Sequence, residues 1–113
     1  MKGIKKYSNK IAKYGELEYS EELQLIEKVS TAIKSADVEV ISHEITGDEN
    51  YLNYDFEVKG TVGALKKVIK KGLFVDNCRE CIDDCENGEE LGDIERLEDD
   101  IMVIARAYIC FRI

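Results

Sequence analysis

Four cysteines are the residues whose type and spacing could most directly do chemistry. Cys78, Cys81 and Cys85 form the run C-x-x-C-x-x-x-C, and Cys110 follows much later in the chain. Thiolates three and seven residues apart can converge on one metal ion in a helix or turn, and structural zinc takes four ligands. The fourth ligand would be Cys110 or His43. A cysteine-centred metal-binding or redox module, with zinc on Cys78, Cys81, Cys85 and Cys110, is therefore one alternative function.

The same spacing has a simpler interpretation, which we prefer. Offsets of three and seven also describe one face of a helix, and a reduced cysteine packs well as a small core residue. Val75, Cys78, Ile82 and Cys85 would then form the buried stripe of a helix that binds no cofactor. The surrounding carboxylates would also raise the thiol pKa, which disfavours the reactive thiolate.

No set of residues resembles a catalytic centre. His43 is the only histidine, and the chain has neither a supported Ser-His-Asp arrangement nor a G-x-S-x-G motif. The stretch 59–63 precedes a predicted helix but lacks the glycine and lysine spacing of a P-loop. The carboxylates of 83–90 lack the ligand spacing of a calcium-binding loop. We therefore expect no enzyme and no catalytic residue.

The charge is concentrated in one part of the chain. Residues 1–75 carry 12 acidic and 12 basic side chains, whereas 76–100, the acidic segment, carries 12 acidic groups against Arg79 and Arg96. The net charge of the chain is −8. Acidity of this size disfavours direct binding to nucleic acid or anionic lipid, because both are themselves negative. It favours a protein partner with a basic surface.

The acidic segment therefore carries our main functional prediction. Carboxylates spaced along helices can occupy positions that phosphates would take, so we expect a small inhibitor or binding protein that docks an acidic helical surface on a basic, nucleic-acid-handling partner. Virus- and plasmid-encoded inhibitors of host restriction and CRISPR nucleases are analogous in size and charge, and the analogy rests on those properties alone. The predicted contact residues are Asp83, Asp84, Glu86, Glu89, Glu90, Asp93, Glu95, Glu98, Asp99 and Asp100.

Two further alternatives concern assembly and simple solubility. The predicted strands can leave an unpaired edge that adds a strand from another copy, which would make the chain a self-assembling structural component. The acidity can also serve solubility alone, with the lysine blocks at 2–13 and 66–71 neutralising the acidic segment within one molecule. No stretch approaches the roughly 20 apolar residues of a membrane span, and no apolar region follows the basic N-terminus, so we expect a cytoplasmic protein.

Hydrophobic periodicity predicts the elements that position these residues. Residues 1–19 are expected to be a loose basic arm or a short helix, and a wide apolar face predicts a helix over 21–36. A β-hairpin spans 38–59, with a bulge near Ile41–Ser42 where the apolar parity switches. Thr61 is a candidate N-cap for the following helix, which Gly72 ends.

The last third of the chain is predicted to hold one or two short helices over 77–100 and a strand over 101–113. The first half of that strand is apolar at both parities, which is typical of a strand covered on both faces. The prediction is a single α+β domain over 1–113, with about three antiparallel strands packed against three to four helices.

Overall fold

The computed structural model describes residues 1–82 and 88–113. Within them, three helices precede or interrupt a four-stranded antiparallel sheet. The helices are α1 (Lys5–Tyr14), α2 (Tyr19–Lys34) and α3 (Val62–Lys70). The strands are β1 (Glu39–Gly47), β2 (Tyr51–Thr61), β3 (Phe74–Glu80) and β4 (Met102–Arg112), in the spatial order β1-β2-β4-β3. The predicted α+β class is confirmed, with four strands rather than three.

The hairpin forms as its sequence predicts. The side chain of Asp48 accepts hydrogen bonds from the backbone N–H groups of Asn50 and Tyr51, which fixes the turn between β1 and β2. The β1–β2 register shifts between Val40 and Ser42, so the predicted bulge is confirmed. After the bulge, the pairing of β1 with β2 runs without a further shift to Gly47.

The core lies between one face of the sheet and the three helices. The odd-numbered residues of β4 from Val103 to Phe111 are at most 5% exposed, and they belong to one cluster with apolar residues of α1, α2 and α3. The even-numbered residues of β4 point away from the helices, and Met102 is 42% exposed there. The expectation that β4 is covered on both faces is wrong, because the helices pack on the same side.

Residues 1–19 are not a loose arm. They form α1 between residues 5 and 14, and the helix buries Tyr7 and Ile11 in the core. Gly15 adopts a left-handed conformation (φ 79°) and ends α1 by donating its N–H to the Ile11 carbonyl. The short-helix alternative is the one that the structure shows.

The helices predicted over 77–100 are wrong for the described residues. Residues 74–80 are the edge strand β3, and the only helix among the described residues of the acidic segment is the single 3₁₀ turn Ile94–Arg96. β3 contains a bulge between Asp76 and Arg79, where Asn77 takes a positive φ of 55°. The bulge places Val75 and Cys78 on the same face although they are three residues apart, a spacing that imitates a helix.

Candidate protein-binding surface

The described carboxylates of the predicted contact set are all exposed to solvent. They are Glu89, Glu90, Asp93, Glu95, Glu98, Asp99 and Asp100. The other three predicted contact residues, Asp83, Asp84 and Glu86, lie outside the described residues. The surface predicted as helical is therefore a mostly irregular chain that holds its carboxylates outward.

The first half of this chain is fixed to β3 by backbone hydrogen bonds. The N–H of Glu80 donates to the carbonyl of Glu89 at 2.9 Å, and the N–H of Leu91 donates to the carbonyl of Cys78 at 2.9 Å. Arg79 also forms a bridge with Glu90. These contacts extend the sheet locally beyond β3, so Glu89 and Glu90 lie on an ordered backbone.

The second half is fixed to the N-terminus of α3. The N–H groups of Val62 and Gly63, which have no acceptor within their own helix, donate to the carbonyls of Ile101 (2.9 Å) and Asp99 (3.0 Å). Lys66 adds an ion pair to the Asp99 carboxylate at 2.7 Å. Between the two anchors, the side chain of Ile94 is buried in the core. The carboxylates therefore project from a backbone that is held at both ends and in the middle.

The lysine blocks do little to neutralise this surface. Among the described residues, Lys66 is the lysine that pairs with the acidic segment, and Lys10 on α1 pairs instead with Glu21 on α2 at 2.5 Å. The hydrogen bond to Glu21 is the main cause that raises the pKa of Lys10. The chain start lies beside Gly72, past the C-terminal end of α3, whereas Asp99 lies at its N-terminal end. The α1 lysines therefore do not cover the acidic segment.

The described cysteines do not converge on one point. Cys78 is 1% exposed in the core, whereas Cys110 is half-buried on the opposite face of the sheet. Cys78 lies opposite the part of β4 near Ala105, and Cys110 lies about five residues farther along the same strand. At roughly 3.4 Å per residue, the two cysteines are roughly 17 Å apart. Cys81 is half-buried, and Cys85 lies outside the described residues. Residues 1–82 and 88–113 contain no group of three or more histidine, cysteine or carboxylate side chains placed to hold a metal ion.

The uncovered face of the sheet carries a polar network that the sequence analysis did not identify. Arg106 on β4 donates from Nε to Oδ1 of Asp55 on β2 at 2.8 Å and from Nη1 to Oδ2 of Asp76 on β3 at 3.2 Å. The hydroxyl of Thr46 on β1 donates to the other Asp55 oxygen at 2.5 Å. Burial lowers the pKa of Arg106, but the hydrogen bond and charge of Asp55 and the charge of Asp76 outweigh it and raise that pKa overall.

Aromatic side chains extend this network toward one end of the face. The Arg106 guanidinium lies 3.8 Å from the centroid of the Tyr108 ring, and Phe74 stacks on Tyr108 with a centroid distance of 5.3 Å. Phe74 is 58% exposed. On the other side of Arg106, a cleft of about 500 Å³ is lined in part by Glu44, Glu57 and the guanidinium itself. The only sequence signal for this centre was the position of Arg106 in the middle of a mostly apolar strand.

Comparison with models of protein families, with curated proteins and with solved structures finds no match for this chain. None of the helices in the described part of the chain is long and apolar enough to cross a membrane.

Proposed function

We propose that this chain is a non-covalent binding protein that docks the exposed carboxylates of residues 89–100 on the basic surface of a partner protein that handles nucleic acid. One observation carries the proposal. Seven carboxylates are exposed along a short chain whose backbone is hydrogen-bonded to β3 at one end and to α3 at the other. This anchoring presents the carboxylates from a fixed backbone, which suits binding to a defined arrangement of cations.

The anchoring bears on affinity because binding a flexible chain costs ordering entropy. A surface that is already fixed loses less freedom when the partner binds, so more of the interaction energy appears as affinity. The carboxylates also repel one another in the free protein, and a cationic partner surface relieves that repulsion. The resulting attraction acts over about 8 Å at physiological ionic strength and speeds encounter, so both rate and affinity should fall with added salt.

The chain would inhibit its partner because its carboxylates occupy the positions of nucleic-acid phosphates. A basic groove that binds phosphates is lined by lysine and arginine side chains, and these accept carboxylates as counter-charges in the same positions. A chain seated in that groove excludes the nucleic acid by competition. The irregular backbone spaces the carboxylates unevenly, so the surface would fit a particular arrangement of cations rather than a regular duplex path.

The experiment compares two variants that lose the same charge. The first changes Glu89, Glu90, Glu95, Glu98 and Asp100 to glutamine or asparagine, which spares Asp93, whose side chain caps the 3₁₀ turn, and Asp99, which pairs with Lys66. The matched control changes five exposed glutamates elsewhere to glutamine: Glu16, Glu18, Glu27, Glu39 and Glu49. Wild type and both variants are immobilised, exposed to a bacterial lysate at low salt and eluted with a salt ramp.

The expected result is one protein that elutes from wild type and from the control but not from the first variant. It is then purified, and its binding to the chain should compete with its own nucleic acid. Loss of five surface ion pairs at about 0.2–1 kcal/mol each should lower the affinity roughly fivefold or more. Equal loss in both variants would assign the binding to net charge alone, and equal binding by all three proteins would remove the acidic segment from the interface.

A further inference from the structure

One edge of the sheet is covered and the other is open. At the β3 edge, the bridge between Arg79 and Glu90 and the hydrogen bond from Leu91 to Cys78 occupy backbone groups. At the opposite edge lies β1, and no strand among residues 1–82 and 88–113 pairs with its outer side. Edge strands are commonly protected by lysine or proline, but β1 contains neither. Its bulge, at Ile41, interrupts only the start of β1, because pairing with β2 is regular from Ser42 onward.

The side chains of β1 form an apolar stripe along this open edge. His43 pairs with Phe56 and Ile45 pairs with Tyr54, so both lie on the face of the sheet that the core occupies, and Ile41 shares their parity. Nevertheless, Ile41 is 47% and Ile45 38% exposed, because the helices do not extend over this edge. The two isoleucines lie symmetrically, two residues before and two residues after His43.

We propose that two copies of this chain pair along their β1 edges, antiparallel and about a two-fold axis at His43. Ile41 then lies opposite the partner's Ile45, Ser42 lies opposite the partner's Glu44, and His43 lies opposite the partner's His43. The two sheets join into one of eight strands with both helix layers on the same side. The four isoleucines cover one another around the axis, and each serine hydroxyl can donate to a carboxylate across it.

The neighbouring pairing registers of β1 are less favourable, judged by the contact between isoleucines and by the repulsion between like charges. An axis at Glu44 would place that carboxylate directly opposite its own copy, which like charges disfavour. An axis at Ser42 would place Ile45 opposite the partner's Glu39 and Ile41 opposite the partner's His43. An axis between two residues would put the two helix layers on opposite faces of the joint sheet and separate the isoleucines. Of the registers compared, the one at His43 is the only one that pairs isoleucine with isoleucine, and it places no like charges opposite one another.

The distribution of charge permits this dimer despite a net charge of −8 on each copy. The acidic segment adjoins β3, which is the farthest strand from β1 in the sheet order. Dimerisation therefore keeps the two acidic segments apart and leaves both available to partners. The pairing uses residues different from those of the proposed function, so either proposal can fail without the other.

Disulfide trapping tests the register directly. In a background with Cys81, Cys85 and Cys110 changed to serine, His43→Cys should cross-link to itself under mild oxidation, because directly opposite Cα atoms lie about 4.5–5.5 Å apart and disulfides span about 4.4–6.8 Å. Ile41→Cys should not cross-link to itself but should do so with Ile45→Cys when the two are mixed. Cross-linking of Ile41→Cys alone, or none for His43→Cys, would overturn this register.

Sedimentation velocity over a range of concentrations provides the independent measurement. Wild type should shift reversibly from monomer to dimer as its concentration rises. Ile41→Lys should lose the dimer, whereas Met102→Lys should keep it, because Met102 is similarly exposed at 42% but lies on β4, which β2 separates from the β1 edge. Circular dichroism spectra of both variants serve as the control that they are folded. A wild type that stays monomeric throughout, or equal loss of the dimer in both variants, would refute the proposal.

Discussion

Arg106 and Asp55, 51 residues apart in sequence, form a side-chain ion pair across β4 and β2 that is the centre of a polar chain crossing the whole sheet. Thr46 extends it to β1 and Asp76 extends it to β3, so each of the four strands contributes one side chain. Asp55 is the one charged residue that is buried within the described part of the chain, at 6% exposure. A buried carboxylate requires such partners, because an unpaired one is strongly destabilising.

Removing the Arg106 side chain should therefore destabilise the folded protein. Arg106→Ala leaves the Asp55 carboxylate buried without its cation, and we expect the free energy of unfolding at neutral pH to fall by about 2–3 kcal/mol. Asp76→Asn should cost below about 1 kcal/mol, because the Asp76 side chain is 41% exposed and water screens its pair with Arg106. Urea denaturation measures both, with the exposed Arg112→Ala on the same strand as the control. Equal effects of Arg106→Ala and Arg112→Ala would contradict a structural role for the network.

Removing the hydroxyl of Tyr54 should make the folded protein more stable. This hydroxyl is buried and has no hydrogen-bond partner within the described chain, while the ring makes an edge-to-face contact with Phe111 at 5.9 Å. Tyr54→Phe keeps the ring contact and removes the unsatisfied group, so the free energy of unfolding at pH 7 should rise by about 1 kcal/mol. Thermal and urea denaturation test this, and a clear loss of stability would show that the hydroxyl is satisfied in solution.

The same residue predicts a pH dependence. Burial, aided by the charge of Glu22, raises the pKa of Tyr54 from 10.0 to about 12. Because the folded state holds this proton more tightly than the unfolded state, its contribution to stability is complete below pH 10 and is lost as the pH rises from 10 to 12. The stability advantage of Tyr54→Phe over wild type should therefore grow across that window. An advantage that stays constant would contradict the raised pKa.

Thiol reactivity should separate the two faces of the sheet. Burial is the main cause that raises the pKa of the Cys78 thiol, and the charges of Asp76 and Asp93 add to it. Burial also raises the pKa of Cys110, although the charge of Arg106 opposes the shift. In variants that retain one cysteine each, Cys110 should react with an aromatic disulfide in the native protein, and Cys78 only after unfolding. In the protein that keeps all four cysteines, adding zinc should leave the reactivity of the accessible thiols unchanged, and strong protection of them would support the metal alternative.

Thr61 provides a local test of how α3 begins. Its hydroxyl oxygen accepts the N–H of Ala64 at 3.2 Å, as the sequence predicted for an N-cap. Thr61→Ala should lower the free energy of unfolding by about 1 kcal/mol, whereas Thr61→Ser, which keeps the oxygen, should restore most of that loss. Urea denaturation of the pair separates the cap from the packing of the threonine methyl group. Equal losses in both variants would assign the effect to the methyl group.

The sequence predicted the elements in which a regular apolar spacing extends over enough residues to be identified. The helix on either side of Val29, the hairpin with its bulge near Ile41 and the C-terminal strand are all confirmed within a few residues. β3 was missed because its bulge at Asn77 breaks the alternation of a strand and yields the three-residue spacing of a helix. The three-residue spacing fits a helix as well as a bulged strand, and only the pairing with β4 distinguishes the two.

The acidic segment and the polar network around Arg106 differ in how far they could be predicted from the sequence. The carboxylates of the acidic segment could be identified from composition, since adjacent residues share one charge, although their backbone conformation was predicted wrongly. The pairing of Arg106 with Asp55 and Asp76 depends on strand register over 51 and 30 residues. No spacing along the chain records that register, so only the folded sheet brings these side chains together.

The position of β4 constrains how the protein folds as it is synthesised. It is the last of the four strands along the chain, yet it lies between β2 and β3 and pairs with both. Until Met102–Arg112 has left the ribosome, β3 has no neighbouring strand, and the β1–β2 hairpin has no third strand and depends on its packing against α2 and α3. The helices and the hairpin are therefore synthesised before the sheet can be completed, and completion is a late step in which β4 inserts between β2 and β3.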